Sequence, residues 1–383
     1  MSALPDPLGT ARSLAPLIDA EAAATDAAGT LSPPVVDALV DTGLFGLLVP
    51  RVLGGTEADV VTTLAVFEEL CRADGSTGWS FLANSSTTAF AAAYTGDPAV
   101  KAMFAGPGPA IHAGMLGPRG EAKQVEGGFQ VSGHYSFGSG IAHANWVGAG
   151  TLVTRDGEFV AAASGLPAMR VVFVPRDAVV LAGNWDVLGL TGTGSFDYEL
   201  PDQFVDEAFT FPLTEEQTQR GGPVYHLGVL TLTSVGHCGF ALGVARRALE
   251  EIARLAPRKT RMGAATPIAG QERFQHDFAV KDAARRAARA LAFEVFADLQ
   301  ATVERGDDPT VEQAHHARQV TTYATGVAAD TVDFAYAWAA TDALRPGALQ
   351  RCFRDIHAAT QHIFVDPATM VHAAPVLLDA YRA

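Results

Sequence analysis

Near the C-terminal end of the chain no carboxylate occurs between Asp355 and Asp366, and within Gln361–Ile363 the only titratable side chain is His362. An unperturbed imidazole titrates near pH 6.5, so it can take a proton from an acidic hydroxyl, hydrogen-bond a bound oxygen, or relay a proton. The plainer reading is a histidine that packs against, or caps, the end of its helix. His357 precedes it at i, i+5 spacing, which on one helix turns the two rings to different sides, and His357 reads as structural. Zinc-binding helices use i, i+4 pairs, and His315 and His316 are adjacent, so no metal site is expected. Gly189-Leu-Thr-Gly-Thr-Gly-Ser195 is glycine-rich but lacks a strand-turn-helix setting, which makes it a hairpin or strand-crossing loop rather than a dinucleotide fingerprint. Arg258, Lys259 and Arg261 form a basic loop before Gly270. A guanidinium there can hold a phosphate bidentately, or the loop is exposed and binds nothing.

These residues need a scaffold, and the texture of the 383-residue chain changes twice. Up to about Phe104 it is Ala-rich and helically periodic: Leu14, Leu17 and Ile18 form a stripe, with Pro16 tolerable only in a helix's first turn, and Val36, Leu39 and Val40 form another after Pro33-Pro34. From about Ala110 β-branched runs take over, with a hairpin expected at Gly127-Gly128. Beyond Pro223 four long helical stretches return, Val224–Leu255, Gln271–Glu304, Pro309–Asp342 and Leu349–Phe364, suited to a bundle. The expected class is α+β, with an N-terminal helical domain at 1–108, a β-barrel or sandwich domain at 109–218 and a C-terminal four-helix bundle at 219–383.

The formal charge is −15, from 42 acidic and 27 basic side chains, which argues against nucleic acid and anionic membrane surfaces as partners. Three scattered cysteines fit a reducing cytoplasm, and Met1–Pro16 lacks the apolar core of a secretory signal. The most membrane-like stretch, Leu227–Ala245, carries His237 and four glycines and reads as a buried core helix.

Several strings resemble the acyl-CoA dehydrogenase superfamily. Gly43-Leu-Phe-Gly-Leu-Leu-Val-Pro50 with Gly54-Gly55 looks like its N-terminal signature. Asp74-Gly-Ser-Thr-Gly-Trp79, Val131-Ser-Gly-His-Tyr-Ser-Phe-Gly-Ser-Gly140 and the Gly189–Ser195 string look like its flavin-dependent monooxygenase branch. Ala343-Leu344, Leu349-Gln-Arg351 and Arg354-Asp-Ile-His-Ala-Ala-Thr-Gln-His362 resemble that branch's C-terminal end. The resemblance implies the family's fold, a homotetramer or dimer of dimers, and a reduced flavin (FMN or FAD) supplied by a separate flavin reductase and lying between the β domain and the helical bundle.

It further implies that His362 stands where the dehydrogenases carry their catalytic glutamate. Met115 and Leu116 would face the pyrimidine side of the flavin, Phe137 and Ser139 would border its ring and ribityl chain, and Thr193 and Ser195 would lie near it. Arg261 would meet a flavin pyrophosphate, and Trp79 and His112 would face a small-molecule substrate. The alternative for the strand residues is ordinary sheet packing, and His112 could equally point into the β domain. Two positions depart from the pattern, Thr87 replacing a histidine and Gly114 a serine. The expected activity is oxygenation of an aromatic or heteroatom-containing substrate through a flavin C4a-hydroperoxide. The alternatives are an acyl-CoA dehydrogenase-type FAD enzyme whose base lies elsewhere, for example at Glu250 or Glu251, and a non-catalytic binding subunit of the same fold.

Overall fold

A computed structural model describes residues 6–106, 108–214 and 217–382. Met1–Pro5, part of the stretch read for an export signal, lie outside the described residues. The chain opens with helices α1 (Pro7–Ala28), α2 (Pro33–Asp41), α3 (Val60–Ala73), α4 (Gly75–Tyr94) and α5 (Asp97–Phe104). Side-chain caps set several starts: Asp6, Asp59 and Asp74 each accept a bond from a backbone N–H in the first turn of α1, α3 and α4. Because Asp6 and Pro7 start α1 early, Pro16 falls inside the helix rather than in its first turn. The buried stripe Ala11, Leu14, Ala15, Ile18 and Ala22 holds the helix together across the missing N–H.

The strands are β1 (His112–Val125), β2 (Gly128–Gly138), β3 (Trp146–Arg155), β4 (Glu158–Phe159), β5 (Met169–Pro175), β6 (Val180–Leu181), β7 (Phe196–Asp206) and β8 (Thr210–Pro212). They form one eight-stranded sheet in the order β6-β7-β2-β1-β3-β5-β8, with β4 paired to β3. The β1–β2 hairpin turns at Glu126-Gly127, one residue earlier than the paired glycines suggest. Gly127 takes the positive φ of 76°, and Gly128 already pairs with Val125. The β1–β3 ladder is parallel and shifts register between Met115 and Gly120.

The last third holds α6 (Gly228–Leu255), α7 (Glu272–Glu304), α8 (Val311–Ala339), α9 (Ala348–Ala359) and α10 (Ala368–Ala380). The segment Pro223–Leu255 is long and apolar enough to cross a membrane, but 83% of its apolar window is buried in the fold. Its glycines explain the composition. A Cβ on Gly243 would lie 2.4 Å from the Glu68 carbonyl oxygen, so α6 packs against α3 almost backbone to backbone. Helix α9 stops at Ala359, short of the expected Phe364, and His362 sits in a following turn with φ −79° and ψ 138°. The i, i+5 argument for His357 and His362 therefore does not apply, since only His357 is helical.

Candidate active site

The N-terminal turn of α4 presents Trp79 to the β domain. Its indole Nε1 donates to Ser139 Oγ at 3.2 Å, Ser139 Oγ lies 2.8 Å from Ser195 Oγ, and Ser195 Oγ lies 2.7 Å from Thr193 Oγ1. Thr193 donates its hydroxyl proton to the Leu190 carbonyl at 2.7 Å. Each hydroxyl has one proton, so that last bond orients the whole chain: Ser195 donates to Thr193, Ser139 donates to Ser195, and Trp79 donates to Ser139. Trp79 is thereby fixed in orientation, and the serines retain lone pairs but no proton for a ligand.

On its other side Trp79 meets a cage of aromatic and imidazole rings. Its ring centroid lies 5.0 Å from His237, 5.0 Å from Phe240 and 5.8 Å from His362. His237 and His362 are 4.1 Å apart, Phe364 lies 5.4 Å and 5.6 Å from them, and the Arg318 guanidinium stands over Phe364 at 4.8 Å. Burial, then the Arg318 charge, pushes His362 down to about 4. Burial, followed by the charges of His362 and Arg318, holds His237 well below the usual imidazole value. Both rings are neutral at pH 7. His362 Nδ1 accepts from the Phe364 backbone N–H at 3.3 Å, which assigns its proton to Nε2. Nε2–H is a donor, and a weak base lies behind it, so proton abstraction fits this ring less well than holding an oxygen.

The glycine-rich loop is pinned rather than free. Asp355 on α9 accepts the Leu190 N–H at 2.6 Å, and Arg354 reaches the Leu188 carbonyl, Thr191 Oγ1 and Asp26. A Cβ on Gly189 would lie 2.0 Å from the Arg354 carbonyl oxygen, and one on Gly192 would lie 2.4 Å from Thr25. The glycines admit α9 and α1 to the loop. Burial, and then the nearby Asp74 charge, raises Asp355 to about 7.

The structure brings Trp79, Ser139, Thr193 and His362 together. Thr193, expected beside the cofactor, is fully buried with its proton committed inside the chain, so it supports Ser195 instead of facing a ligand. Phe137 is 57% exposed, has φ of 70° and stands edge-on to Trp185. Met115 and Leu116 are half-buried. The Met115 N–H is taken by Tyr198 Oη at 2.9 Å, while Leu116 falls in the register shift without a β3 partner.

His112 is a correction. Its ring is fully buried, stacked by Phe104 and Trp146, with Nε2 3.1 Å from Met103 Sδ, so it belongs to the core between α5 and the sheet and not to the Trp79 cage. Arg261 donates to the Ala337 carbonyl at 2.6 Å and lies over Trp338, a place at the C-terminal end of α8. His357 bonds Asp333 at 2.8 Å. Gly114 has φ of 128°, and a Cβ there would lie 2.0 Å from the Gly148 carbonyl oxygen, so no serine fits, while Thr87 is buried against β3 beside Gly148. Glu250 and Glu251 are engaged by Arg72, Arg246, Arg247 and Arg254 and are no free bases. Among the described residues no three His, Cys, Asp or Glu side chains group as metal ligands.

Sequence reasoning missed His237, Arg318 and Asn84, while Ser195, which it placed with Thr193 near the cofactor, links Thr193 to Ser139. Asn84 Nδ2 donates to the His112 and Ser139 carbonyls, and its Oδ1 meets His143 Nε2 at 2.9 Å, tying α4 to β1 and to the end of β2. The available signal was a histidine and an arginine on otherwise apolar helix faces.

Family models for the acyl-CoA dehydrogenase N-terminal domain and C-terminal domain match residues 10–107 and 235–367. The chain is 29% identical to an indole-3-acetate monooxygenase of Pseudomonas putida over 90% of its own length and 86% of the relative's. It is 30% identical to the oxygenase subunit HsaA, a flavin-dependent monooxygenase of Rhodococcus jostii, over 86% of this chain and 87% of that one. The crystal structure of a 3-HSA hydroxylase from Rhodococcus sp. RHA1 superimposes with a TM-score of 0.89 at 25% identity, covering 98% of this chain and 97% of that one.

Proposed function

The chain belongs to the acyl-CoA dehydrogenase family, in its flavin-dependent monooxygenase branch, and from that premise we propose that it is the oxygenase component of a two-component system acting on a small aromatic substrate. A separate reductase would deliver reduced FMN or FAD. The balance is that of a monooxygenase: aromatic C–H, dioxygen and reduced flavin give the hydroxylated ring, water and oxidised flavin.

The observation that carries this reading is the neutral His362, with its Nε2–H turned from the backbone, in a cage of Trp79, His237, Phe240 and Phe364. A dehydrogenase needs a carboxylate base at this place. The nearest motif carboxylates, Asp74 and Asp355, are held by Thr77 and Leu190. The residues suit a flavin. Exposed Phe137 offers an apolar face, the shifted segment around Leu116 offers backbone groups without strand partners, and Ser139 offers an acceptor. Arg261 retains a buried Nε with no partner, available to a phosphate.

When bound, reduced flavin supplies the two electrons that activate dioxygen. His362 would hold the oxygen by its Nε2–H, Trp79 and Phe364 would exclude water and stack the ring, and His237 would keep His362 in place. Location in the cytoplasm and a homotetramer or dimer of dimers complete the proposal. The exposed apolar residues Ile363, Val371, Leu378 and Tyr381 support self-association.

The test mixes purified protein with reduced flavin, labelled dioxygen and a panel of bicyclic and monocyclic aromatics, since relatives are named for indole-3-acetate and resorcinol. One labelled oxygen in the product is expected. His362→Ala should lower product per flavin on the order of 10²-fold while flavin affinity stays within about threefold. Reduction of the oxidised flavin by acyl-CoA compounds, with no labelled product, would overturn the reading.

A further inference from the structure

Arg318, on α8, is a half-buried cation that has no carboxylate partner among the described residues. Several other buried or half-buried arginines have a carboxylate: Arg72 has Glu69 and Glu250, Arg247 has Asp19 and Glu251, and Arg354 has Asp26, whereas Arg261, which also lacks one, lies over Trp338 at the end of α8. Among the described residues Arg318 forms no ion pair, and its Nε is buried with no hydrogen-bond partner. Its packing is over the ring of Phe364 at 4.8 Å, and its charge reaches both His362 and His237. A cation over an aromatic face gains only a modest attraction, while a half-buried guanidinium whose Nε has no acceptor gives up hydration that the ring does not replace. An anion brought from outside restores the balance.

We infer that Arg318 is the recognition site for a carboxylate carried by the aromatic substrate, so that the enzyme acts on aromatic acids. This rests on the monooxygenase reading above and names the substrate class of that same site. Three features favour it. The guanidinium fork matches a carboxylate bidentately. It stands over Phe364, whose ring packs against His237 and His362, so an acid held by the guanidinium lies beside the histidine proposed to hold the oxygen. The chain carries a formal charge of −15, which repels an anionic substrate unless a local cation draws it in, and the two neutral imidazoles add no competing charge. Anchoring the acid at one end fixes which ring carbon faces His362 Nε2, which makes Arg318 a determinant of position as well as of affinity.

The experiment measures binding without turnover. Protein loaded with reduced flavin under anaerobic conditions is titrated with 1-naphthaleneacetate and with its neutral amide, 1-naphthaleneacetamide, in wild type, Arg318→Gln and Arg318→Lys. The wild type is expected to bind the acid at least about tenfold more tightly than the amide. Arg318→Gln should weaken the acid about ten- to a hundredfold, leave the amide within about twofold, and be partly rescued in Arg318→Lys. Equal affinity for acid and amide in the wild type, or binding of neither, would overturn the inference. So would an Arg318→Gln variant that loses flavin affinity or changes its sedimentation while keeping the acid preference, because Arg318 would then hold the cofactor phosphate or a neighbouring subunit. Oxygen transfer is scored separately, so failure of the monooxygenase reading leaves the binding result standing.

Discussion

The neutrality of His362 makes a quantitative prediction about acid stability. Burial and Arg318 push its imidazole down to about 4, against about 6.5 in the unfolded chain. The folded state therefore binds fewer protons than the unfolded state between those values, and stability must rise with pH through that window and level off above it. From the two values, the penalty at pH 5 is about 2 kcal/mol and at pH 7 about 0.2 kcal/mol, upper bounds because the ring is only partly buried. Replacing the ring by an amide removes the titration but keeps an acceptor for the Phe364 N–H. His362→Gln should accordingly lose up to about 2 kcal/mol less stability than wild type when the pH falls from 7 to 5. Urea midpoints for both proteins at several pH values give the difference directly. His112 and His143, lowered by burial to about 3 and about 4, and Asp355, raised to about 7 with the opposite sign, contribute equally to both proteins and cancel. Parallel pH curves for the two proteins would refute the claim that His362 is held neutral. The acid limb of turnover should then lie near pH 6.5 rather than below 5.

Gly189→Ala puts a methyl 2.0 Å from the Arg354 carbonyl oxygen, so a loss of about 1–3 kcal/mol and a lower melting temperature are expected, together with weakened flavin binding. An unchanged melting temperature would show that the loop is not clamped by α9. Ser139→Ala strands the Trp79 indole N–H, at a cost of about 1–3 kcal/mol read from urea unfolding. Its tryptophan fluorescence should shift as well, and wild-type behaviour in both measurements would remove the hydroxyl chain from the account.

Most of the scaffold is legible because its signals are local. The hydrophobic period marks the helices, β-branched runs mark the strands, and Gly127 marks the hairpin, each set by residues within a few positions of one another. The end of α9 is less so: Thr360-Gln361 contains neither glycine nor proline, and the periodic pattern runs on past the point where the His362 N–H turns back to the Ala359 carbonyl. Pro16 misleads in the other direction, because a capped start at Asp6 and a well-buried stripe carry α1 through it.

The site shows where a motif stops informing. The string ending at His362 gives a histidine its place, yet its charge state depends on Trp79 from α4, His237 from α6 and Arg318 from α8, which no local spacing brings together. His237 hides in the sequence because a helix whose glycines seat it against α3 reads as uniformly core. The Gly189–Ser195 string makes the same point: its glycines answer to the backbone of α9 and to α1, and only its last hydroxyl, through Ser139, reaches the ring that lines the site. Short-range patterns thus place the residues, while burial, which sums contributions from distant helices, decides whether His362 acts as a base or as a donor. That choice separates oxygen binding from proton abstraction on one shared fold.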